Sequence, residues 1–341
     1  MPPDHAGKIK REIRKRVGWQ LNPMRRIIVE VTNRCNHRCP VCQPHAPSIS
    51  NQMTEGLMDW DIFLHVADEA ARVRPEWISL YGHGEPLLHP RLADMVAALK
   101  ERDLATEVVT NGDLLSVEIL SALSQAGLRS LVVSDPHVTD DNYRRVRGIY
   151  PPVGRRERLK AVIDSLPSGG PDISIRSLVL ARHTRLCDLE SFVLDWFSSS
   201  AISQIGLHGY LPWPQLVIEE MLVMLRSGGA PCMHAQNKLM VCWNGVITPC
   251  SYDVFHKLKV GTIPETRLGD VFNGQQLREL RRNLSGASSR WPDMCRTCLL
   301  PRADSPYIHL MRTAIETMTM LQLRSYLRAT LLQLQDKKRV T

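Results

Sequence analysis

The sequence lacks the features of a membrane, secreted or repeat protein. No apolar run approaches the ~20 residues that a membrane helix needs, and residues 1–19 lack the apolar core of a secretory signal. It contains no internal repeat and no low-complexity tract. Hydrophobic residues make up 43% of the 341 residues, enough for a globular core. We therefore expect a cytoplasmic globular protein that makes no membrane contact.

Most of the chain also lacks an excess of positive or negative charge. The formal net charge is +8, but residues 1–26 alone carry eight Lys or Arg against two acidic residues, which leaves +2 for the rest. A solvated basic leader over residues 1–25 explains this segment, with an acidic partner or a phosphate-bearing substrate as the alternative. Because the body is nearly neutral, no nucleic acid is expected as a partner.

Cysteine, by contrast, is plentiful, with nine residues. In a reducing compartment such thiols seldom form disulfides. Seven of the nine fall into two spaced groups. This grouping favours ligation of a metal ion or a metal cluster.

Residues 26–210 alternate between apolar, strand-like runs and amphipathic, helix-like segments, the pattern of parallel β/α units. Strands are predicted at Arg26–Thr32, Trp77–Gly82, Thr106–Asn111, Arg129–Ser134, Ile173–Leu180 and Gln204–Tyr210. Helices are predicted at Asp59–Arg72, Pro90–Arg102, Val117–Ala126, Asp140–Val146 and Asp188–Phe197. Six such units favour an α/β fold with a partial (β/α)6 barrel like an incomplete TIM barrel, whose chemistry lies at the C-terminal ends of the strands.

The pattern changes in the C-terminal third. A short helix is predicted near residues 217–225, a hairpin over 238–251 that turns at Asn244-Gly245, and a helix over 268–284. We expect a barrel domain at 26–228, a small hairpin-plus-helix domain at 229–303 and a C-terminal helix at 304–341. Packing of that last helix onto the barrel or a dimer partner is expected, and a membrane-surface helix is the alternative.

The first cysteine group follows the first predicted strand. Cys35, Cys39 and Cys42 have C-x3-C-x2-C spacing. Three thiolates on one loop can hold three irons of a cubane and leave the fourth iron open for an outside ligand. A zinc site is the alternative, and it needs a fourth protein ligand such as His37 or His45.

Three further segments stand at the ends of predicted strands: Tyr81-Gly-His-Gly-Glu-Pro86, Thr110-Asn111-Gly112 and Ser134-Asp135. Together with the cysteines they make the chain resemble the radical S-adenosylmethionine (SAM) superfamily. The resemblance implies a [4Fe–4S] cluster whose open iron is chelated by the amino and carboxylate groups of SAM. It also implies reductive cleavage of SAM to a 5′-deoxyadenosyl radical, which abstracts hydrogen from the substrate.

The same resemblance implies a set of SAM contacts. Glu85 is expected to hold the methionine ammonium and Arg147 to pair with its carboxylate, although a helix-surface arginine is the alternative for Arg147. Val41 stands where the family often has an aromatic residue, so adenine would meet backbone or apolar atoms there. The implied contacts are Val41, Gly82, His83, Gly84, Glu85, Pro86, Thr110, Asn111, Ser134, Asp135 and Arg147. The glycines are expected to let the backbone approach the ligand.

The second cysteine group comprises Cys232, Cys250, Cys295 and Cys298. With Gly245 between the first two, it resembles the Twitch domain, a shortened form of the SPASM auxiliary-cluster domain. The resemblance implies one further [4Fe–4S] cluster, closed by four thiolates and covered by the helix at 268–284. Zinc bound by the same thiolates is the alternative.

Two cysteines remain outside both groups. Cys187 and Cys242 are explained most simply as small buried hydrophobic residues. Either could instead deliver a hydrogen atom to a substrate radical, as in epimerases that the chain resembles. Cys242, in the hairpin beside the second group, is the better candidate for such a catalytic thiol.

The fate of the substrate radical defines the reaction: oxidation, epimerisation, or fragmentation such as decarboxylation. Similar Twitch enzymes act on aminocyclitols, sugars and nucleosides in antibiotic biosynthesis, and also on peptides. A leader-peptide-binding domain needs roughly 80 residues, and the 25 residues before the first predicted strand cannot form one, although a separate binding protein could supply that role. We therefore expect an oxidoreductase that oxidises an alcohol of a small molecule and receives electrons from flavodoxin or ferredoxin.

Overall fold

The computed structural model describes residues 24–42, 44, 52–167, 169–179, 184–209, 232–284 and 290–296. Residues 1–23 of the predicted basic leader, the helix near 217–225, the C-terminal helix at 304–341 and Cys298 lie outside the described residues.

The described chain forms one mixed sheet and a series of helices. Its strands are β1 (Arg26–Val29), β2 (Trp77–Leu80), β3 (Thr106–Thr110), β4 (Ser130–Ser134), β5 (Asp172–Val179), β6 (Ile202–Gly209), β7 (Lys238–Val241), β8 (Val246–Thr248) and β9 (Gly261–Thr262). Its α-helices are α1 (Trp60–Val73), α2 (Leu92–Glu101), α3 (Val117–Gln125), α4 (Asp140–Arg147), α5 (Arg155–Asp164), α6 (Leu186–Trp196), α7 (Met233–Asn237), α8 (Leu268–Asn273), α9 (Gln275–Leu284) and α10 (Asp293–Arg296). A 3₁₀ turn covers Pro86–Leu88.

Strands β1 to β6 are parallel and lie side by side in chain order, which confirms the predicted β/α architecture. The sheet runs β6-β5-β4-β3-β2-β1-β7-β8-β9. Because no pairing between β6 and β9 occurs among the described strands, the barrel is partial, as predicted.

The C-terminal hairpin continues this sheet. Strand β7 pairs with β1 in parallel, and β8 and β9 follow antiparallel. The predicted turn at Asn244-Gly245 is present: Gly245 has φ +82 and its N–H donates to the carbonyl of Cys242. A Cβ at this glycine would also come within 2.6 Å of the Ile263 carbonyl oxygen, so glycine is required there.

Helix α1 shows how local sequence produces these elements. Asp59 caps its N-terminus by accepting from the backbone N–H of Asp61, and Arg74 ends it in the left-handed region at φ 48. Phe63, Val66 and Ala70 recur at helical spacing and are buried on the side that faces the sheet. Burial of this apolar stripe is what stabilises the helix.

The two faces of β1 divide the core. Ile27 and Val29 belong to the large apolar core that also contains helix residues, whereas Ile28 packs with Met240, Cys242 and Val246. Successive side chains of a strand point to opposite faces. Ile28 and its neighbours therefore line the inner face of the barrel.

Two features differ from the predictions. The helix predicted at 268–284 is two helices, because Gly274 is extended (φ −69, ψ 161) and a Cβ there would lie 2.8 Å from the Asp270 carbonyl oxygen. Helix α5 was not predicted, since its many charged residues hide a buried stripe of Leu159, Val162 and Ile163. A search of the described residues finds no helix long and apolar enough to cross a membrane.

Candidate functional site

Cys35, Cys39 and Cys42 lie on the loop that follows β1, at the C-terminal edge of the parallel strands. The loop is tightly turned, because the N–H of Cys42 donates to the Cys39 carbonyl at 2.9 Å. The N–H of His37 donates to Sγ of Cys35 at 3.4 Å. Donation of backbone N–H groups to sulfur suits thiolates, whose negative charge it stabilises. Val41, beside Cys42, is half-buried.

Burial dominates the electrostatics of the first thiol. It raises the pKa of Cys35 to about 11, with smaller contributions from the charges of Glu85 and Cys39, while the His37 N–H and the Arg147 charge act in the opposite direction. A thiolate at this place is therefore favoured by a positively charged partner such as a metal ion.

Glu85 is a hub that joins two of the predicted motifs. Its carboxylate is 2% exposed and accepts from the Asn111 N–H at 2.7 Å and the Thr110 hydroxyl at 2.6 Å. It also caps the 3₁₀ turn that begins at Pro86 by accepting from the Leu87 N–H at 3.1 Å. Burial raises the pKa of Glu85, and these donors oppose that shift.

The amide of Asn111 extends this network to the cysteine loop. Its Nδ2 donates to Oδ1 of Asn36 at 2.7 Å. Thr110 and Asn111, at the end of β3, thus hold both Glu85 and the residue next to Cys35. The structure brings these predicted site residues together, as parallel strand ends should.

Protein atoms lie close to both glycines of the motif. A Cβ on Gly84 would lie 2.4 Å from the carbonyl oxygen of Arg34 and 2.5 Å from that of Thr32. A Cβ on Gly82 would lie 2.7 Å from Glu30. Protein atoms fill both places. Glycine is therefore needed at both positions, at Gly84 because the cysteine loop packs against it and at Gly82 because Glu30 does.

Arg147 reaches the cysteine loop from the end of α4. Its side chain is buried, with Nη1 3.6 Å from Sγ of Cys39 and Nη2 donating to the Ser134 carbonyl at 2.8 Å. Its Nε is also buried and has no acceptor among the described residues. An orphaned guanidinium N–H beside a cluster cysteine fits a site for an anionic ligand.

Asp135, the other residue predicted from the end of β4, is fully buried and paired with protein groups. Its carboxylate accepts from Arg155 Nη1 at 2.6 Å and Trp196 Nε1 at 3.0 Å. Its Oδ1 also accepts from the His137 N–H at 3.2 Å. These contacts show it tying α5 and α6 to the sheet.

Arg155, on the unpredicted helix α5, is the main site residue that sequence reasoning missed. Besides Asp135 it binds Asp113 at 2.7 Å and the Asn111 carbonyl at 2.7 Å. Asp113 in turn lies 2.7 Å from Nε2 of His37. In the sequence, His37 stands between Cys35 and Cys39. The buried stripe of α5 was the only sequence signal for this helix.

The described members of the second cysteine group lie at the start of α7, after the hairpin strand β8 and in α10. Cys232 occupies the N-cap position of α7, Cys250 follows β8, and Cys295 lies buried in α10. The rings of His234 and Tyr252 are 5.8 Å apart, which brings the loops of Cys232 and Cys250 together. The Tyr252 N–H donates to Sγ of Cys250 at 3.4 Å. Cys298 lies outside the described residues.

His83 connects the two groups of cysteines. Its Nδ1 lies 2.6 Å from Glu30 and its Nε2 lies 2.8 Å from the Ser251 carbonyl oxygen. Both ring nitrogens of this predicted SAM contact therefore face protein groups. Glu30, one residue after β1, was not singled out in the sequence.

The two remaining cysteines occupy different places. Cys242 is 0% exposed on the inner face of the barrel wall, and burial raises the pKa of its thiol well above the usual value. Cys187 is exposed in the first turn of α6.

The donor sets fit iron–sulfur clusters. Within the described ranges, no three His, Cys, Asp or Glu side chains are grouped so that they could hold one metal ion. In a cubane each thiolate binds a different iron, so its cysteines need not converge on one point. Thiols with N–H donors and an adjacent arginine whose Nε has no acceptor among the described residues suit a cluster and an anionic ligand.

Comparison with protein families agrees with this geometry. The model of the radical SAM superfamily matches residues 29–190, and that of the SPASM iron–sulfur cluster-binding domain matches residues 232–299. The chain is 41% identical over 300 residues to a tungsten-containing aldehyde ferredoxin oxidoreductase cofactor-modifying protein of Pyrococcus furiosus, covering 74% of this chain and 82% of that protein. The protein belongs to the radical SAM superfamily. It is an enzyme that uses SAM and iron–sulfur clusters.

More distant relatives share the fold. An S-adenosyl-L-methionine-dependent 2-deoxy-scyllo-inosamine dehydrogenase of Niallia circulans is 23% identical over 275 residues, covering 80% of this chain and 91% of that protein. The crystal structure of BtrN with AdoMet and 2-DOIA superimposes with a TM-score of 0.54 at 21% identity, covering 80% and 92% of the two chains. That of anSMEcpe with bound AdoMet superimposes with a TM-score of 0.62 at 15% identity, covering 88% and 98%.

Proposed function

We propose that the protein oxidises an alcohol of a small polyhydroxylated molecule, such as an aminocyclitol, sugar or nucleoside, in natural-product biosynthesis. Two [4Fe–4S] clusters are assigned, one at Cys35, Cys39 and Cys42 and one at Cys232, Cys250, Cys295 and Cys298. When bound to the first cluster, SAM would supply a 5′-deoxyadenosyl radical for hydrogen abstraction, and the second cluster would take up one electron.

Within this proposal the chain's own residues orient SAM. Arg147 offers its orphaned Nε to the methionine carboxylate. Glu85 is held rigid by three donors and directs its remaining acceptor capacity to the ammonium. The Ser134 hydroxyl and Val41 complete the contacts at the strand ends. Thr110 and Asn111 act through Glu85.

The burial of Cys242 is the observation that favours oxidation over epimerisation. An epimerase needs a thiol that can touch the substrate radical, and Cys242 is 0% exposed in the barrel wall. Cys187 is exposed on α6, in the layer of helices outside the sheet. Because neither of these two thiols is both exposed and inside the barrel, the substrate radical is proposed to lose an electron instead. The hydroxyl proton leaves to solvent, and a carbonyl forms.

The substrate class is supported by the relatives' names. The 41% identical protein is described as cofactor-modifying, and the protein of Niallia circulans as an inosamine dehydrogenase. Both point to small molecules. Peptide modification is the second candidate, because the structure of SuiB bound to the precursor peptide SuiA also superimposes, with a TM-score of 0.61 at 13% identity. Decarboxylation is a further outcome that the test below distinguishes.

Anaerobic turnover in D2O tests the proposal. The reduced enzyme is incubated with SAM and 2-deoxy-scyllo-inosamine, related aminocyclitols and nucleosides, and products are measured by mass spectrometry. We expect 5′-deoxyadenosine and a product that has lost two hydrogens, with no deuterium at the oxidised carbon. Cys242→Ala and Cys187→Ala should react as wild type. One deuterium without a change in oxidation level would establish epimerisation, and loss of carbon dioxide would establish decarboxylation. Stimulation by peptides alone would establish peptide modification.

Electrons for the first cluster are proposed to come from flavodoxin or ferredoxin. Replacing dithionite by either protein with its reductase should support 5′-deoxyadenosine formation. Failure of both, with dithionite active, would contradict this partner.

A further inference from the structure

A buried chain of hydrogen bonds runs from the barrel to the second cysteine group. It starts at Glu30, one residue after β1, passes through the ring of His83 and ends at the Ser251 carbonyl. The side chains of Glu30 and His83 are 1% and 7% exposed. Glu30 and His83 stand beside the first cluster loop, whereas Ser251 follows Cys250. The chain therefore links the two sites.

The geometry makes His83 a cation. The Ser251 carbonyl can only accept, so Nε2 carries a proton. The carboxylate of Glu30 already accepts the backbone N–H groups of His83 at 2.9 Å and Trp243 at 3.3 Å, as an ionised carboxylate does. Nδ1 therefore donates to it as well. Burial alone lowers the pKa of His83, but the hydrogen bond and charge of Glu30 outweigh burial and raise the pKa.

One peptide unit carries the effect of this cation to sulfur. The carbonyl of the Ser251–Tyr252 peptide accepts from His83, and its N–H donates to Sγ of Cys250 at 3.4 Å. A cation at the carbonyl polarises the amide, and hydrogen bonds in series strengthen one another. A stronger N–H donor stabilises the extra negative charge that a cluster sulfur gains on reduction.

We propose that His83 sets the reduction potential of the auxiliary cluster by donating, as a buried cation, to the peptide that hydrogen-bonds Cys250. His83 is a positioning residue, since it acts through Ser251 and Tyr252. The inference rests on the auxiliary cluster of the proposed function. It explains how that cluster is made a better electron acceptor, because a higher potential favours electron transfer from the substrate radical.

The test measures the auxiliary cluster alone. Cys35, Cys39 and Cys42 are replaced together by Ala in the full chain, and the cluster is titrated under EPR without SAM or substrate. In this background His83→Gln, which loses the cation, should shift the midpoint potential to a more negative value. His83→Lys keeps a cation that can reach the Ser251 carbonyl, so its potential should lie closer to that of the parent. The matched control is His89→Gln, at a buried histidine that follows the 3₁₀ turn after this motif and whose Nε2 lies 3.1 Å from the Met58 carbonyl oxygen. This variant should leave the potential unchanged.

The outcomes separate this inference from the proposed function. Iron is measured first. If the His83→Gln variant holds fewer than about four irons per chain, the His83→Asn variant is used in its place. A parent without iron would contradict both the second cluster and the role of His83. Iron at the expected level with an unshifted potential in the Gln or Asn variant would overturn only the inference about His83. Equal shifts in the Lys and Gln variants would also overturn it, because the charge would then have no effect.

Discussion

Nη1 of Arg147 lies 3.6 Å from Sγ of Cys39, although 108 residues separate them in the sequence. The contact is buried and joins the end of α4 to the loop after β1. It places a guanidinium with an orphaned Nε at the cluster cysteines, where the carboxylate of SAM is proposed to bind.

Replacing Arg147 by Ala should therefore weaken SAM binding. Loss of a buried charge-assisted hydrogen bond costs about 1.5–3 kcal/mol, and equilibrium dialysis on the anaerobic, cluster-loaded enzyme measures it. Arg145→Ala is the control, since Arg145 on the same helix pairs with Asp141 at the surface. Equal SAM affinity in Arg147→Ala and wild type would show that Arg147 does not bind SAM.

Glu85→Gln should also lower SAM affinity. An amide NH2 would face the donors of either Asn111 or Thr110, and the negative charge for the ammonium would be lost. The expected cost is about 1.5–3 kcal/mol, or roughly ten- to hundredfold in Kd. Glu118→Gln, at an exposed glutamate of α3, should leave Kd unchanged. A wild-type Kd for Glu85→Gln with its iron intact would remove Glu85 from the SAM site.

Arg155→Ala should destabilise the fold. It removes the guanidinium that lies 2.6 Å from Asp135 and 2.7 Å from Asp113 and, among the described residues, leaves the fully buried Asp135 with only the more distant Arg156 as a cationic partner, at 3.7 Å. Removal of one partner of a buried ion pair lowers the free energy of unfolding by about 3–5 kcal/mol. Urea unfolding of the apoprotein measures this loss. Arg25→Ala breaks an exposed pair with Glu76 and should cost about 0–1 kcal/mol. Similar losses in both variants would contradict the structural role of Arg155.

The ionic contacts of Asp195 with Lys160 and Arg156 give a pH-dependent prediction. Partial burial acts to raise the pKa of Asp195, but hydrogen bonds from Lys160 and Arg156 outweigh it and hold the pKa below the usual value. A carboxylate with a depressed folded pKa contributes stability above its unfolded pKa and loses it as pH falls through the folded pKa. Asp195→Asn should therefore melt at a lower temperature than wild type at pH 7, and the gap should close as the pH falls below about 4. A gap that persists unchanged in acid would contradict this account.

Iron content tests the assignment of the cysteines. The anaerobically reconstituted protein should hold about eight irons and eight sulfides per chain, two cubanes by cysteine count. Joint replacement of Cys35, Cys39 and Cys42 by Ala should leave about four. A wild-type value near four, or zinc in place of iron, would contradict the two-cluster proposal.

Sequence by itself determined the parts of this protein that depend on local pattern. The spacing of Cys35, Cys39 and Cys42 places three thiols on one loop, and the alternation of strands and helices predicts a parallel sheet. Because the loops after parallel strands lie at one edge, motifs such as Thr110-Asn111 were expected beside the cysteines. The hairpin turn at Gly245 was also predictable, since its left-handed backbone favours glycine.

Tertiary structure alone decided the contacts between distant segments. Strand β7 joins β1, Arg155 pairs with Asp135, and His83 reaches Ser251 across 168 residues. Gly84 is glycine because the carbonyls of Thr32 and Arg34 pack on it. None of these contacts has a local signature, because pairing and close approach depend on which segments the folded sheet brings together. Buried charged side chains in these contacts are paired, because an unpaired charge in the protein interior costs too much free energy.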